Sequence, residues 1–235
     1  MDMLEIDGVR FVLDNRVAPL REKSESDKFV LVKTRRILDF YESLRERAPK
    51  NILEIGMSEG GSLIYFDKLY APAKLVGIDI RRTPIPALEL YKETRPHIKT
   101  LYGRAPDMPP TRGVAQSNFP DGIDLVVDDA SHLYAETKKT FVNVFPFVKP
   151  GGHYVIEDWA WAHRPSSQGA GAHWSDRPAV TNLLFELTVM AAVSRVIDSV
   201  TIKDELLCIK KGRGTLPKSG LDLTGHLRGK EMPLI

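Results

Sequence analysis

The chain has 235 residues and 43% hydrophobic content, enough for a full core in one large domain or two small ones. Lys and Arg total 33 and Asp and Glu 31, a net +2 that excludes general electrostatic attraction to nucleic acid or to acidic membranes. The single cysteine, Cys208, excludes an internal disulfide and a cysteine-based zinc site. No apolar run approaches the roughly 20 residues of a membrane helix. The N-terminus, MDMLEIDGVR, carries acids where a signal peptide has a basic and then an apolar region, so a cytoplasmic protein is expected.

In chain order, residues 5–14 alternate around Asp7-Gly8, a pair that favours a tight turn, and predict a small hairpin or arm. Apolar residues at helical spacing predict a helix from Phe29 to Arg47, stopped by Pro49. Short apolar runs then alternate with helical ones. Strands are predicted at 51–55, 74–80, 98–102, 123–128 and 153–157. Helices are predicted at 60–70, 87–95, 135–147 and 178–192. Residues 104–120 hold four prolines and read as a loop with at most a short helix. A long loop covers 158–177, and two strands, 193–198 and 201–209, close the pattern as a hairpin. The expected fold is α/β: a Rossmann-like, doubly wound, mostly parallel seven-stranded sheet with an antiparallel edge hairpin. Residues 1–48 form an arm and helix, 49–211 the core, and 212–235 an irregular tail.

The first core strand runs into Glu54-Ile-Gly-Met-Ser-Glu-Gly-Gly-Ser62. Glycines at a strand-to-helix turn let the backbone approach a ligand, and the helix N-terminus adds N–H donors. The next strand ends at Asp79, where an acid suits ribose hydroxyls. A dinucleotide site prefers Gly-x-Gly-x-x-Gly, whereas Ser58 stands at the second glycine position. Glu54 repels a pyrophosphate and suits an ammonium, which favours S-adenosylmethionine over NAD. The expected cofactor set is Glu54, Gly56, Ser58, Gly60, Ser62, Asp79 and Asp128.

Two further strands end in carboxylates, at Asp128-Asp129 and Glu157-Asp158. In a parallel sheet both ends lie on the ligand edge, where mutual repulsion calls for protons or a cation. Oxygen donors of this kind suit Mg2+, Mn2+ or Ca2+ rather than zinc. His132, three residues after Asp129, is placed to take a proton from a hydroxyl.

On these residues the sequence resembles class I S-adenosylmethionine-dependent methyltransferases, specifically the metal-dependent sugar O-methyltransferases of the macrocin and mycinamicin group, with the cephalosporin hydroxylase-like proteins nearby. LEIGMSEGGS, LVGIDI, DLVVDDASH and FPFVKPGGHYVIEDW carry the resemblance, over about residues 50–160. It implies that Asp129, Glu157 and Asp158 bind the metal and that His132 is the general base. It implies that Glu54, Gly56 and Asp79 hold the cofactor. Two departures stand out. Ala130 replaces a common glycine, and Tyr102–Asp107 is not the usual Gly-Asp-Ser. The expected acceptor is a sugar hydroxyl of a small molecule or oligosaccharide, and a homo-oligomer, dimer or higher, is expected. The Trp-rich loop 158–177 is expected to act as a substrate lid. The competing readings are an NAD-dependent oxidoreductase and a non-catalytic S-adenosylmethionine-binding protein.

Overall fold

A computed structural model describes residues 2–16, 19–105, 109–216, 220–228 and 234. Part of the expected C-terminal tail, and residues 106–107 of the segment after the third core strand, lie outside the described residues. The chain divides into two compact units, Met1–Arg104 and Ala105–Ile235. The main sheet has seven strands, three from the first unit and four from the second. Among the described residues no helix is long and apolar enough to cross a membrane.

The first unit begins with a hairpin of β1 (Met3–Ile6) and β2 (Val9–Leu13). Asp7 and Gly8 both take positive φ, 46° and 74°, as a two-residue hairpin turn requires. The predicted helix from Phe29 is corrected at its start. Lys28–Leu31 form β3, paired in parallel with β2, and α1 covers only Arg35–Ser43. Phe29, Val30 and Leu31 are consecutive and all buried, which a strand covered on both faces accommodates and a half-exposed helix does not. Thr34 then caps α1 by accepting from the Ile37 N–H at 3.4 Å.

Next come β4 (Asn51–Ile55), α2 (Gly61–Tyr70), β5 (Lys74–Ile78), α3 (Pro86–Lys92) and β6 (Ile98–Leu101). The strands are parallel in the order β6-β5-β4. The arm packs on α2, with Phe11 edge-on to Tyr65 at 6.0 Å. Gly61 permits this approach, since a Cβ there would lie 2.1 Å from the Val30 carbonyl oxygen.

The second unit opens with α4 (Pro109–Asn118) in the region read as a proline loop. Pro109 falls at the first helical position, where proline is tolerated, and Val114 and Ala115 bury the helix. It continues with β7 (Ile123–Asp128), α5 (Tyr134–Val144), β8 (Val148–Ile156), α6 (Thr181–Val193), β9 (Ile197–Lys203) and β10 (Leu206–Lys211), with strand order β7-β8-β10-β9. Strand β8 starts five residues before the predicted His153. Val148 pairs with Ile123 and His153 with Leu125, so residues 149–152 bulge out of the ladder. The terminal hairpin is also shifted. It turns at Asp204-Glu205, with Asp204 at φ 51°; α6 runs on to Val193, the first residue assigned to the first strand, and β9 begins only at Ile197.

Candidate functional site

The first unit carries the glycine loop. After β4 the chain turns at Gly56, φ 87°, whose N–H reaches the Ile78 carbonyl at 2.9 Å. Ser58 also takes positive φ, 46°, and Gly60, at 79°, precedes α2. No side chain caps that helix, so the N–H groups of its first turn are left as donors toward the loop. Asp79, nearly buried, accepts from the Met57 N–H at 2.9 Å and the Arg81 N–H at 2.8 Å. These two bonds fix the loop to the end of β5 and leave a lone pair on each oxygen. Gly77 on β5 leaves room for the Met57 side chain, since a Cβ would lie 2.3 Å from Met57 Sδ. Glu54 is fully buried at the end of β4, and Ser62 lies nearly buried in the first turn of α2. A buried carboxylate, a second carboxylate and an uncapped helix end fit a ligand with an ammonium, hydroxyls and further acceptor atoms.

The second unit carries the acidic strand ends. Among the described residues, Asp129, His132 and Asp158 offer ligand atoms that all lie within 4.8 Å of one another. His132 Nε2 stands 3.6 Å from Asp129 Oδ1. Two carboxylates and an imidazole fit a divalent cation. His132 and Asp158 both take left-handed backbone, φ 54° and 57°. Such conformations cost about 1–2 kcal/mol each and persist where the surroundings hold them.

Those surroundings are visible. The Trp161 ring lies 4.5 Å from the imidazole of His132. Trp174 donates its indole N–H to the His132 carbonyl at 3.2 Å and stands edge-on to Trp161 at 5.7 Å. The 158–177 loop is therefore tied to His132 by two of its three tryptophans. The third, Trp159, donates to the Asp204 carbonyl at 3.2 Å. Neither Asp129 nor Ser131 caps α5. The Ser131 hydroxyl instead accepts from the Leu133 N–H at 3.4 Å, across His132.

Glu157 and Asp128 stand apart from the converging trio. Glu157 is buried, and its N–H bonds the Asp128 carbonyl at 3.0 Å. Asp128 is buried too and accepts from the Tyr154 hydroxyl at 2.7 Å. Burial pushes its carboxyl up to about 7, and the charges of Asp129 and Glu157 add to the push. The Tyr154 hydroxyl and the Ala130 N–H oppose it.

Sequence reasoning did not find Tyr154. Its signal was the register: Tyr154 pairs with Val126 and Asp128 with Ile156, so the tyrosine on β8 and the aspartate on β7 share a face as diagonal neighbours on adjacent strands. Nor did it find that Trp161 and Trp174 brace His132, because contacts made by an irregular loop leave no periodic trace.

The chain is similar to known proteins. Residues 53–159 match a family model described as a methyltransferase domain. The segment is thus similar to a methyltransferase domain, and the sheet has the Rossmann-like methyltransferase fold. Among curated proteins the chain is 31% identical over 133 residues to the 8-demethyl-8-alpha-L-rhamnosyl tetracenomycin-C 2'-O-methyltransferase of Streptomyces olivaceus. The match covers 54% of this chain and 32% of that enzyme. It is 31% identical over 125 residues to the mycinamicin VI 2''-O-methyltransferase of Micromonospora griseorubida, covering 50% and 29%. The chain thus spans about a third of the length of these relatives. Among solved structures, MycE methyltransferase from the mycinamycin biosynthetic pathway, in complex with Mg, SAH and mycinamycin VI, superposes with a TM-score of 0.60 at 26% identity. That similarity covers 77% of this chain and 51% of MycE.

Proposed function

We propose that this protein transfers a methyl group from S-adenosylmethionine to a sugar hydroxyl on a saccharide, glycolipid or glycosylated natural product. It does so with Mg2+ or Mn2+ and with His132 as general base. The convergence of Asp129, His132 and Asp158 carries the reading. The names of the relatives, O-methyltransferases of a rhamnosyl tetracenomycin and of mycinamicin VI, support the acceptor class. Glu54 opposes the oxidoreductase alternative, because a buried carboxylate beside the glycine loop repels a pyrophosphate.

In this reading the first unit holds the methyl donor. Glu54 takes the ammonium, Asp79 the ribose hydroxyls, and Gly56, Ser58, Gly60 and Ser62 line the turn. The carboxylates of Asp129 and Asp158 hold the cation, and Glu157 adds negative charge nearby. A divalent cation bound there supplies Lewis acidity and orients acceptor hydroxyls. Asp129 orients the imidazole of His132, which takes the proton of the attacking hydroxyl. The oxygen forms its bond to the methyl carbon as the carbon–sulfur bond breaks, leaving a methyl ether and S-adenosylhomocysteine. The chemistry is chiefly positioning and charge stabilisation. The indole N–H of Trp161 is buried without a hydrogen-bond partner, beside the His132 ring. It offers a donor to an acceptor oxygen, and this role fits the 158–177 loop as a substrate lid.

The test is transfer of labelled methyl from S-adenosylmethionine to a panel of glycosides, with EDTA and with added Mg2+. Labelled methyl ether should form only with the metal. Full activity in EDTA removes the cation from the reading, and labelling of no glycoside hydroxyl removes the acceptor class.

A further inference from the structure

The N-terminal arm reaches the glycine loop. Its loop between β2 and β3 is built around Asp14, a nearly inaccessible carboxylate. Asp14 accepts from Arg16 Nε at 2.8 Å, Arg16 Nη2 at 2.7 Å and the Glu22 N–H at 2.8 Å. The Arg16 guanidinium beside it holds its carboxyl well below the usual carboxylate range. Glu22 is paired with Lys28 at 2.9 Å. Ser24 donates to the Glu59 carbonyl at 2.7 Å and accepts from the Val30 N–H at 2.9 Å, fixing the arm to the glycine loop itself.

Held in this frame, Arg21 donates through Nε to the Arg16 carbonyl at 3.0 Å and through Nη1 to Ser58 Oγ at 2.9 Å. Among the described residues it has no carboxylate partner, although the arm's acids are close in sequence. Asp14 and Glu22 are already matched by Arg16 and Lys28. A guanidinium has five N–H donors in a planar fork, and these two bonds use only part of it. A half-buried arginine so placed leaves its remaining donors for an anion at the glycine loop.

We propose that Arg21 is a cofactor-binding residue that takes the α-carboxylate of the amino-acid portion of S-adenosylmethionine. The loop then matches both charges of the zwitterion, Glu54 the ammonium and Arg21 the carboxylate. The arm thereby completes the cofactor site. This inference rests on the S-adenosylmethionine reading of the loop.

The experiment is calorimetry on the full chain with S-adenosylmethionine and with its decarboxylated analogue. The proteins are the wild type, Arg21→Ala and Arg21→Lys. The wild type should bind the decarboxylated analogue about 10- to 100-fold more weakly than S-adenosylmethionine. Arg21→Ala should lose about the same factor for S-adenosylmethionine and almost none for the analogue, so that the two ligands become nearly equal. Arg21→Lys should recover part of the preference. If Arg21→Ala weakens both ligands equally, or leaves the preference intact, the carboxylate role is overturned and the cofactor reading stands. If the wild type binds neither ligand, the cofactor reading fails and this inference fails with it.

Discussion

The Tyr154 hydroxyl donates to Asp128 Oδ2 at 2.7 Å, linking two side chains that are both closed off from solvent. Asp128 immediately precedes Asp129 and feels its charge, so the state of the pair bears on how Asp129 is presented. Burial and the neighbouring carboxylates make the Asp128 charge costly, and the tyrosine is its main relief. Tyr154→Phe should therefore lower stability by about 1–3 kcal/mol, the cost of a buried acceptor left short of its donor. Asp128→Asn should leave the melting temperature unchanged or raise it. An amide oxygen can still accept from the Ala130 N–H, the tyrosine hydroxyl can accept from the amide nitrogen, and the repulsion is gone. Thermal unfolding of both variants checks this. A strongly destabilised Asp128→Asn would contradict it.

His132 is both a candidate base and a member of the donor trio, and kinetics with metal binding separate the two roles. As the base, His132→Ala should lower turnover by a factor on the order of 10² to 10⁴. Mn2+ affinity, followed by paramagnetic resonance, should stay near that of the wild type. Asp129→Asn and Asp158→Asn should instead weaken Mn2+ binding by at least about tenfold. If the histidine variant loses the metal as readily as the aspartate variants, His132 is a ligand and the base lies elsewhere.

Much of this was legible in the sequence, for physical reasons. Strands β4 and β7 fall where their apolar runs put them, because buried parallel strands read as continuous hydrophobic runs ended by turn residues. The acidic ends, and the glycines at Gly56 and Gly60, were visible for the same reason. The arm was harder. Phe29-Val30-Leu31 fits a helix or a strand by composition, and only pairing with β2 decides between them. The departure of Glu157 from the trio was hidden too. Neighbours along a strand point to opposite faces, but Asp158 is past the strand, where its left-handed backbone and not alternation sets its direction.

Gly61 is the point where arm and core meet, and it should be intolerant of any side chain. A Cβ there overlaps the Val30 carbonyl oxygen, which is backbone and belongs to a paired strand. Gly61→Ala should cost about 2–4 kcal/mol or expel β3 from its place. Gly113→Ala, where nothing lies within 4 Å of the added atom, should be neutral or slightly stabilising in its helix. Denaturant unfolding of the two variants measures the contrast, and equal midpoints would mean that the arm does not pack as described.

Lys211 gives the molecule a pH dependence of its own. It is almost wholly buried at the end of β10, donating to the Phe145 carbonyl at 3.2 Å with its ammonium 4.3 Å from that ring. Burial pulls its pKa down from 10.5 to about 8. Below about pH 8 both folded and unfolded chains carry the charge, and the folded state bears the full desolvation cost. Between about pH 8 and about pH 10.5 the unfolded chain binds more protons than the folded one, so this group's contribution to stability rises with pH. Lys211→Met removes the charge and fills similar space. It should be more stable than the wild type at neutral pH, by about 1–2 kcal/mol after loss of the carbonyl bond. That advantage should shrink as the pH rises through the window. Urea unfolding of both proteins at a series of pH values reads the difference directly, with other titrations cancelling between them. An advantage independent of pH, or one that grows in alkali, would show that Lys211 does not carry its charge into the core.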